Sequence, residues 1–373
     1  MKYFDYNSTS PVHPKIREKI SEWLEEYGNP SSQHGIGRKA SARLNEARQS
    51  ILSALNLESY HLTFTSGGTE SNHLAFQFLK TSVPKRKKIF LSSIEHPCII
   101  KQKDVLSRIG YNIIIIPAEK NGQVNLNFLE DHLDEDTALC AVMGANNETG
   151  VIQDISKISE LCREYEIHYH CDVSQIPGKA RIDLEKADAD SYTFSSHKVY
   201  SLKGHGFLVW RTKPSPLFSG GMQENELRAG TENLLGALAA ETAFSESANS
   251  LNQTLEKNLR QRRLLEKALE KLGVEIAGKE SERLSNTVCA LIPGIQNEET
   301  VSFLDKNGYC ISKGAACHSG VWEPSSVLLS MGYSAETAWT GVRISFGMFN
   351  SDEDVAGLAE KFGELILDKN RKT

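Results

Sequence analysis

No long hydrophobic run occurs in the 373 residues; the longest purely aliphatic stretch is residues 113–116. A membrane-spanning helix needs about 20 apolar residues, so no helical anchor is expected. Residues 1–6 hold no basic leader followed by an apolar segment. A secretion signal is therefore not expected, and the expected location is cytoplasmic. Cysteine is scarce and odd in number, seven residues with no pair at CxxC spacing, which argues against a disulfide framework and against a zinc site. Nor is there an excess of positive charge. The formal net charge of -6 speaks against binding nucleic acid by bulk electrostatics, and a small substrate is expected. Neither GxxxxGK[ST] nor GxGxxG is present, which removes the usual nucleotide and dinucleotide modules. Internal repeats and low-complexity segments are absent as well.

What is present is alternation. Helical and strand periodicities succeed one another from about residue 12 to 240, the pattern of an α/β fold with a doubly wound, mostly parallel sheet. Helices are predicted over residues 14–27, 36–55, 69–80, 97–109, 126–132, 154–165 and 232–249. Seven strands are predicted over 61–65, 88–92, 112–116, 138–142, 167–172, 189–195 and 206–210. After residue 250 the texture changes. Leu251, Leu255, Leu259, Leu264, Ala268 and Leu272 recur at spacings of three to five up to Gly273, predicting an amphipathic helix. That helix is read as the entry to a smaller α+β domain, with residues 14–250 forming a large domain and residues 1–13 with 251–373 a small one.

Several predicted strands stop abruptly in polar groups, which an open α/β sheet delivers to the edge where ligands bind. Tyr192-Thr193-Phe194-Ser195-Ser196-His197-Lys198 ends in hydroxyls, an imidazole and an amine. Lys198, pressed against an apolar sheet edge, is a candidate nucleophile; a solvated surface lysine is the plain alternative. In Thr65-Ser66-Gly67-Gly68-Thr69-Glu70 a strand runs into a glycine turn and then a helix. Gly68 lets the backbone approach an anion, while the free N–H groups of the helix start and the Thr69 hydroxyl face it. The segment is a phosphate cradle or an ordinary capped turn. Asp172 closes the run His168-Tyr169-His170-Cys171-Asp172. An ionised carboxylate at that edge needs a cationic partner such as a protonated pyridine nitrogen, unless it caps the next turn. His96, between Glu95 and Pro97, could stack on a planar ring and move protons, and Asn147 could hydrogen-bond a ring oxygen or form a turn. Pyridoxal 5′-phosphate (PLP) satisfies the set, because its phosphate, ring nitrogen, ring face, phenolic oxygen and aldehyde each find a partner.

Two further groups lie in the last third. Cys317 falls in Ser312-Lys313-Gly314-Ala315-Ala316-Cys317-His318-Ser319, a stretch of small residues expected to stay out of the core. Lys313 and His318 beside it would favour the thiolate. Arg343 alternates with apolar residues in Gly341-Val342-Arg343-Ile344-Ser345, where a guanidinium suits either a substrate carboxylate or an internal ion pair.

Taken in order, these residues resemble the NifS/IscS-type cysteine desulfurases of the class V aminotransferase family, which are fold-type I PLP enzymes. The resemblance runs through Asn7-Ser8-Thr9-Ser10-Pro11, Thr69-Glu70-Ser71-Asn72, Asn146-Asn147-Glu148-Thr149-Gly150, Ser195-Ser196-His197-Lys198, Arg228-Ala229-Gly230-Thr231-Glu232-Asn233 and Glu323-Pro324-Ser325-Ser326 to Arg343. It implies a large domain with a mostly parallel seven-stranded sheet, a smaller α+β domain carrying a mobile cysteine loop, and PLP carried on Lys198. By the same resemblance Asp172 pairs with the ring nitrogen, Gln175 and Asn147 contact the phenolic oxygen and the substrate side, and His96 stacks on the ring. Thr69, Ser195 and His197 hold the phosphate, and Thr231 reaches the other subunit's cofactor in a homodimer. Arg343 binds the carboxylate of L-cysteine, and Cys317 takes the sulfur as a persulfide for a sulfur-acceptor protein, such as an iron–sulfur scaffold or a tRNA-thiolation relay. The family usually has Ala where this chain has Ser8 and Val173, and Gly-Pro where it has Ser201-Leu202. Gly314-Ala315-Ala316-Cys317-His318-Ser319 also looks like selenocysteine lyases, so a selenocysteine lyase or another PLP-dependent lyase is the alternative. An inactive PLP-binding scaffold is the alternative of another class.

Overall fold

The computed structural model describes residues 1–80, 86–314 and 323–372. Its centre is a seven-stranded sheet made of β1 (His61–Thr65), β2 (Lys88–Ser92), β3 (Asn112–Ile116), β4 (Thr137–Ala141), β5 (His168–Asp172), β6 (Ser191–Ser195) and β7 (Gly206–Trp210). The spatial order is β1-β7-β6-β5-β4-β2-β3. All neighbours pair in parallel except β7, which runs antiparallel to both β1 and β6. Every predicted strand of this sheet is found within two residues of its expected bounds.

Helices cover both faces, so the central strands read as apolar runs without polar alternation. Phe90, Cys140, Tyr169, Cys171, Tyr192, Phe194 and Phe207 pack into one core, while Ile89, Leu91, Leu139, Ala141 and Leu208 pack into another on the opposite face. With both faces apolar, the tolerant place for polar groups is where the strands end. The carboxyl ends of β1, β2, β4, β5 and β6 lie along one edge, each followed by a turn carrying one or more of the predicted site residues.

A second, antiparallel sheet is built from β8 (Glu275–Ile276), β9 (Thr287–Leu291) and β10 (Gly341–Ser345), in the order β10-β9-β8. Val288, Ala290, Val342 and Ile344 face a core shared with the helices Leu251–Lys271 and Asp352–Lys372, whereas Cys289 and Leu291 face the core of the large sheet. Strand alternation therefore puts Arg343, the register partner of Cys289, on the side toward the large sheet.

Three predicted helices differ in detail. The one expected over residues 69–80 is an α-helix over Gly68–Ala75 that tightens into a 3-10 helix over Phe76–Lys80. Residues 97–109 form two short helices, Pro97–Ile100 and Gln102–Arg108, instead of one. The helix Leu251–Lys271 ends before Gly273, whose φ of 78° suits a glycine, but its buried stripe is Asn258, Gln261, Leu265, Glu266 and Leu269, and Leu264 is exposed. The stripe is rotated because polar members find partners inside. Gln261 donates to the Asn350 carbonyl at 3.1 Å, and Glu266 pairs with Arg283 at 2.7 Å. Among the described residues no helix is long and apolar enough to cross a membrane.

The N-terminal segment staples the two sheets together. Buried Asn7 donates from its side chain to Thr287 Oγ1 (2.8 Å) and from its backbone to Ser345 Oγ (3.0 Å), and its carbonyl accepts from Gln175 Nε2 (3.0 Å). Removing one side of such a buried contact strands the other. Asn7→Ala is expected to lower stability by about 2 kcal/mol, read as an earlier midpoint of urea unfolding; a midpoint equal to wild type would contradict the stapling role.

Candidate active site

The turns at the carboxyl edge of the large sheet enclose a cavity of about 570 Å³. Gly68 and Thr69 reach it after β1, Glu95 and His96 after β2, Asn147 after β4, Asp172 and Ser174 at and after the end of β5, and Ser195, His197 and Lys198 at and after the end of β6; Asn7 of the N-terminal segment and Arg343 of β10 close it from the other side. Of the predicted site residues, the structure thus brings together Gly68, Thr69, His96, Asn147, Asp172, Ser195, His197, Lys198 and Arg343.

Asp172 is buried at the cavity wall. Its Oδ1 accepts from the Ser174 N–H at 2.9 Å and its Oδ2 from Asn72 Nδ2 at 2.8 Å. Burial opposes its charge, but the charge on Lys198 and the hydrogen bonds from Ser174 and Asn72 outweigh burial, so the carboxyl titrates below its ordinary range. His197 shares Nδ1 with Thr9 Oγ1 at 3.1 Å, and burial, helped by the charge on Lys198, pushes it down to about 4. At neutral pH it is therefore an uncharged ring.

His96 precedes the helix Pro97–Ile100 as its cap. Its Nδ1 accepts the Cys98 N–H at 3.3 Å and lies 3.0 Å from Cys98 Sγ. Burial, then the negative charge of Asp172, pushes the Cys98 thiol up to about 12, so the sulfur keeps its proton. With Nδ1 accepting the Cys98 N–H, Nε2 is the nitrogen left to carry a proton. Arg343 is almost fully buried. It forms the ion pair with Asp5 (2.7 Å) that was one of the two expectations for it, and it also donates to Ser8 Oγ (2.5 Å) and the Asn147 carbonyl (3.0 Å).

Three buried polar atoms of residues lining the cavity have no hydrogen-bond partner among the described residues: Ser174 Oγ, Glu95 Oε2 and Arg343 Nε. A Cβ at Gly68 would sit in ordinary van der Waals contact with Ser195 Cβ at 3.4 Å and Ser174 Oγ at 3.5 Å, so this residue packs directly against the two serines of that corner. A hydroxyl awaiting an anion, a guanidinium N–H awaiting an acceptor and a carboxylate prepared for a ring nitrogen fit PLP and an amino-acid substrate. No group of three or more His, Cys, Asp or Glu side chains among the described residues is arranged to hold a metal.

Gln175 and Thr231 do not line this cavity. The Gln175 amide is engaged by the Asn7 carbonyl and by Lys179 Nζ at 2.6 Å. Thr231 is exposed beside a smaller cavity of about 160 Å³ that shares Ser66 and Gly204 with the main one. Cys317 and His318 lie outside the described residues. Lys313, expected to favour the Cys317 thiolate, pairs with Glu298 at 3.1 Å.

Sequence reasoning missed Asn72, Glu95, Ser174 and Lys179. Asn72 follows Thr69 by three residues on one helix, a spacing that would have placed it on the same face. Glu95 and Ser174 adjoin His96 and Asp172 in strand-end turns. Lys179 gave no signal. Its ammonium is held well below the usual lysine range by burial and then by the charges of Lys198 and Arg343.

Known proteins resemble the chain along nearly its whole length. The aminotransferase class-V family model matches residues 2–358. Cysteine desulfurase IscS of Dictyoglomus turgidum is 34% identical over 375 residues, covering 99% of this chain and 95% of its own. Cysteine desulfurase IscS 1 of Archaeoglobus fulgidus is 36% identical, covering 98% and 97%. A solved NifS-like protein from Rickettsia africae is 31% identical with a TM-score of 0.88, covering 98% of this chain and 99% of that one.

Glu95 offers a test of the site's electrostatics. Its Oε1 accepts from Ser92 Oγ and the Met143 N–H, both at 2.6 Å, yet burial pushes its carboxyl from 4.5 up to about 8. The folded state then binds the proton more tightly than the unfolded chain. The associated stability is complete below about pH 4.5 and is lost as pH rises through about 8. Glu95→Gln, which cannot titrate, is expected to show a smaller fall in urea midpoint between pH 5 and pH 8.5 than wild type. Parallel pH profiles for the two proteins would show that Glu95 is ionised when buried.

Proposed function

The chain belongs to the class-V aminotransferase family, and we propose that it is a cysteine desulfurase that uses PLP to take sulfur from L-cysteine and leave it as a persulfide on Cys317. The reading is carried by the convergence of Lys198, Asp172, His96 and Arg343 on one cavity. Lys198 would hold PLP covalently, with Asp172 at the ring nitrogen and His96 at the ring face. Gly68, Thr69, Ser174, Ser195 and His197 would hold the phosphate, and Asn147 would face the phenolic side. When bound, PLP supplies an electron sink for the pair left on the substrate's Cα.

The protein's own groups do the rest. Arg343 Nε, already buried and unpartnered among the described residues, orients the substrate carboxylate. Lys198 accepts the Cα proton. The Cys317 thiolate attacks the substrate sulfur; an S–S bond forms, the substrate C–S bond breaks with its electron pair left on carbon, a proton from His96 Nε2 goes to Cβ, and Lys198 returns a proton to Cα to complete L-alanine. The outer sulfur then passes to the thiol of an acceptor protein, of the iron–sulfur scaffold or tRNA-thiolation relay type. The working unit is a homodimer in the cytoplasm, with Thr231 reaching the partner subunit's cofactor. Exposed Phe218 and Met222 on the segment leading to Thr231 support such a contact. A second reading, selenocysteine lyase, is favoured only by Gly314-Ala315-Ala316-Cys317-His318-Ser319.

The deciding experiment is incubation of the PLP-loaded chain with L-cysteine and mass measurement of the Cys317 peptide. Gain of one sulfur atom, with one alanine formed per sulfur, is expected; Cys317→Ser is expected to bind PLP but form no persulfide. Turnover of selenocysteine alone would favour the second reading, and product from neither amino acid would mean a scaffold without turnover. His96→Gln is expected to lower kcat by about 10²-fold, the usual worth of one positioned proton donor; an unchanged kcat would remove His96 from proton transfer.

A further inference from the structure

Behind Asp172 runs a buried chain of polar side chains that the reaction does not touch. Asn72, His168, His170 and Ser191 are all buried. His170 lies two residues before Asp172 on β5 and faces the same side, and its register partner on β6 is Ser191. Ser191 Oγ lies 2.9 Å from His170 Nδ1 and 3.1 Å from His168 Nε2. His170 Nε2 lies 2.9 Å from Asn72 Oδ1, and Asn72 Nδ2 donates to both Asp172 Oδ2 (2.8 Å) and Cys98 Sγ (3.2 Å). Phe76 stands edge-on to His170 and Phe78 stacks on His168, which holds both rings in place.

The protons of this chain can be assigned from one end. An ionised carboxylate only accepts, so the Asn72 amide nitrogen must face Asp172 and its oxygen must face His170. His170 Nε2 therefore carries a proton. Burial pushes His170 down to about 3, so the ring is neutral and Nδ1 has a lone pair. That lone pair accepts the Ser191 O–H, and the Ser191 oxygen accepts from His168 Nε2. Every donor points toward Asp172, and donors aligned in series polarise one another.

We propose that Ser191, His170 and Asn72 form a directional hydrogen-bond relay that fixes Asp172 as an ionised and oriented acceptor. They are positioning residues: His170 and Ser191 do not line the cavity and act only through Asn72. The charged and titratable groups facing Asp172 are Lys198 after β6, Glu95 and Cys98 after β2, and His170 on β5 itself. Only Lys198 among them carries positive charge; the Ser174 N–H serves Oδ1, and the relay supplies the hydrogen bond to Oδ2. Its service to a cofactor rests on the PLP reading given above, but the relay is a property of the chain without cofactor.

The test is NMR of the full chain, with and without added PLP. In ¹⁵N-histidine spectra of the wild type, His170 is expected as the neutral Nε2–H tautomer from pH 5 to pH 9. In ¹³C-aspartate spectra, assigned with Asp172→Asn, His170→Phe is expected to raise the proton affinity of Asp172 about tenfold, the worth of one hydrogen bond to a charged group. His170→Gln, which keeps an N–H donor, is expected to leave the Asp172 midpoint near wild type. A His170 ring found as the Nδ1–H tautomer or as imidazolium at pH 7 would overturn the relay, and this needs no variant. So would a folded His170→Phe protein with an unmoved Asp172 midpoint. Failure of PLP to bind, with the tautomer as assigned, would count against the PLP reading alone.

Discussion

Everything at the sheet edge answers to one constraint, that a carboxylate must stay ionised after losing its water. An uncompensated buried charge costs several kcal/mol, and Asp172 is buried. Its compensation comes from three separate places in the chain: the charge of Lys198 after β6, the Ser174 N–H in the following turn, and the Asn72 amide from the helix after β1. The strand order makes this possible, because β6 lies directly beside β5 in parallel and both end at the same edge.

The same logic governs Arg343. Its guanidinium is as buried as the carboxylate, and the N-terminal segment neutralises and anchors it through Asp5 and Ser8, while the Asn147 carbonyl takes a further N–H. That leaves Nε for a ligand. A short N-terminal stretch thus serves fold and site together. Asn7 ties the small sheet to the Gln175 amide, and Ser8 and Asp5 hold the cation that faces the cavity. Lys179 lies in the same region, where burial beside Lys198 and Arg343 disfavours its charge, and its Nζ donates to Gln175 Oε1.

How much of this is legible in the sequence follows from burial. Strands covered on both faces read as apolar runs, so a polar terminus stands out; Thr69, His96, Asp172 and Lys198 are visible for that reason, and the seven strands with them. Partners made by tertiary contact are not visible. Asn72 and Asp172 are 100 residues apart, and nothing local in Asn72 announces the carboxylate it meets. The helix Leu251–Lys271 shows the converse. Its leucines suggest one face, yet Gln261 and Glu266 are buried because Asn350 and Arg283 of the same chain offer them partners. Gln175, read as contacting the phenolic oxygen and the substrate side, is instead taken up by Asn7 and Lys179, an outcome that the docking of the N-terminal segment decides.

The central claim is that five turns from one sheet edge grip a single PLP through the amine of Lys198. Borohydride reduction of the PLP-loaded protein, followed by peptide mapping, tests it most directly, because Lys203 also lines the cavity and Lys179 is buried close to Lys198. The account expects one reduced pyridoxyl group per chain, located on Lys198. Label on Lys179 or Lys203, or spread over several surface lysines, would contradict it.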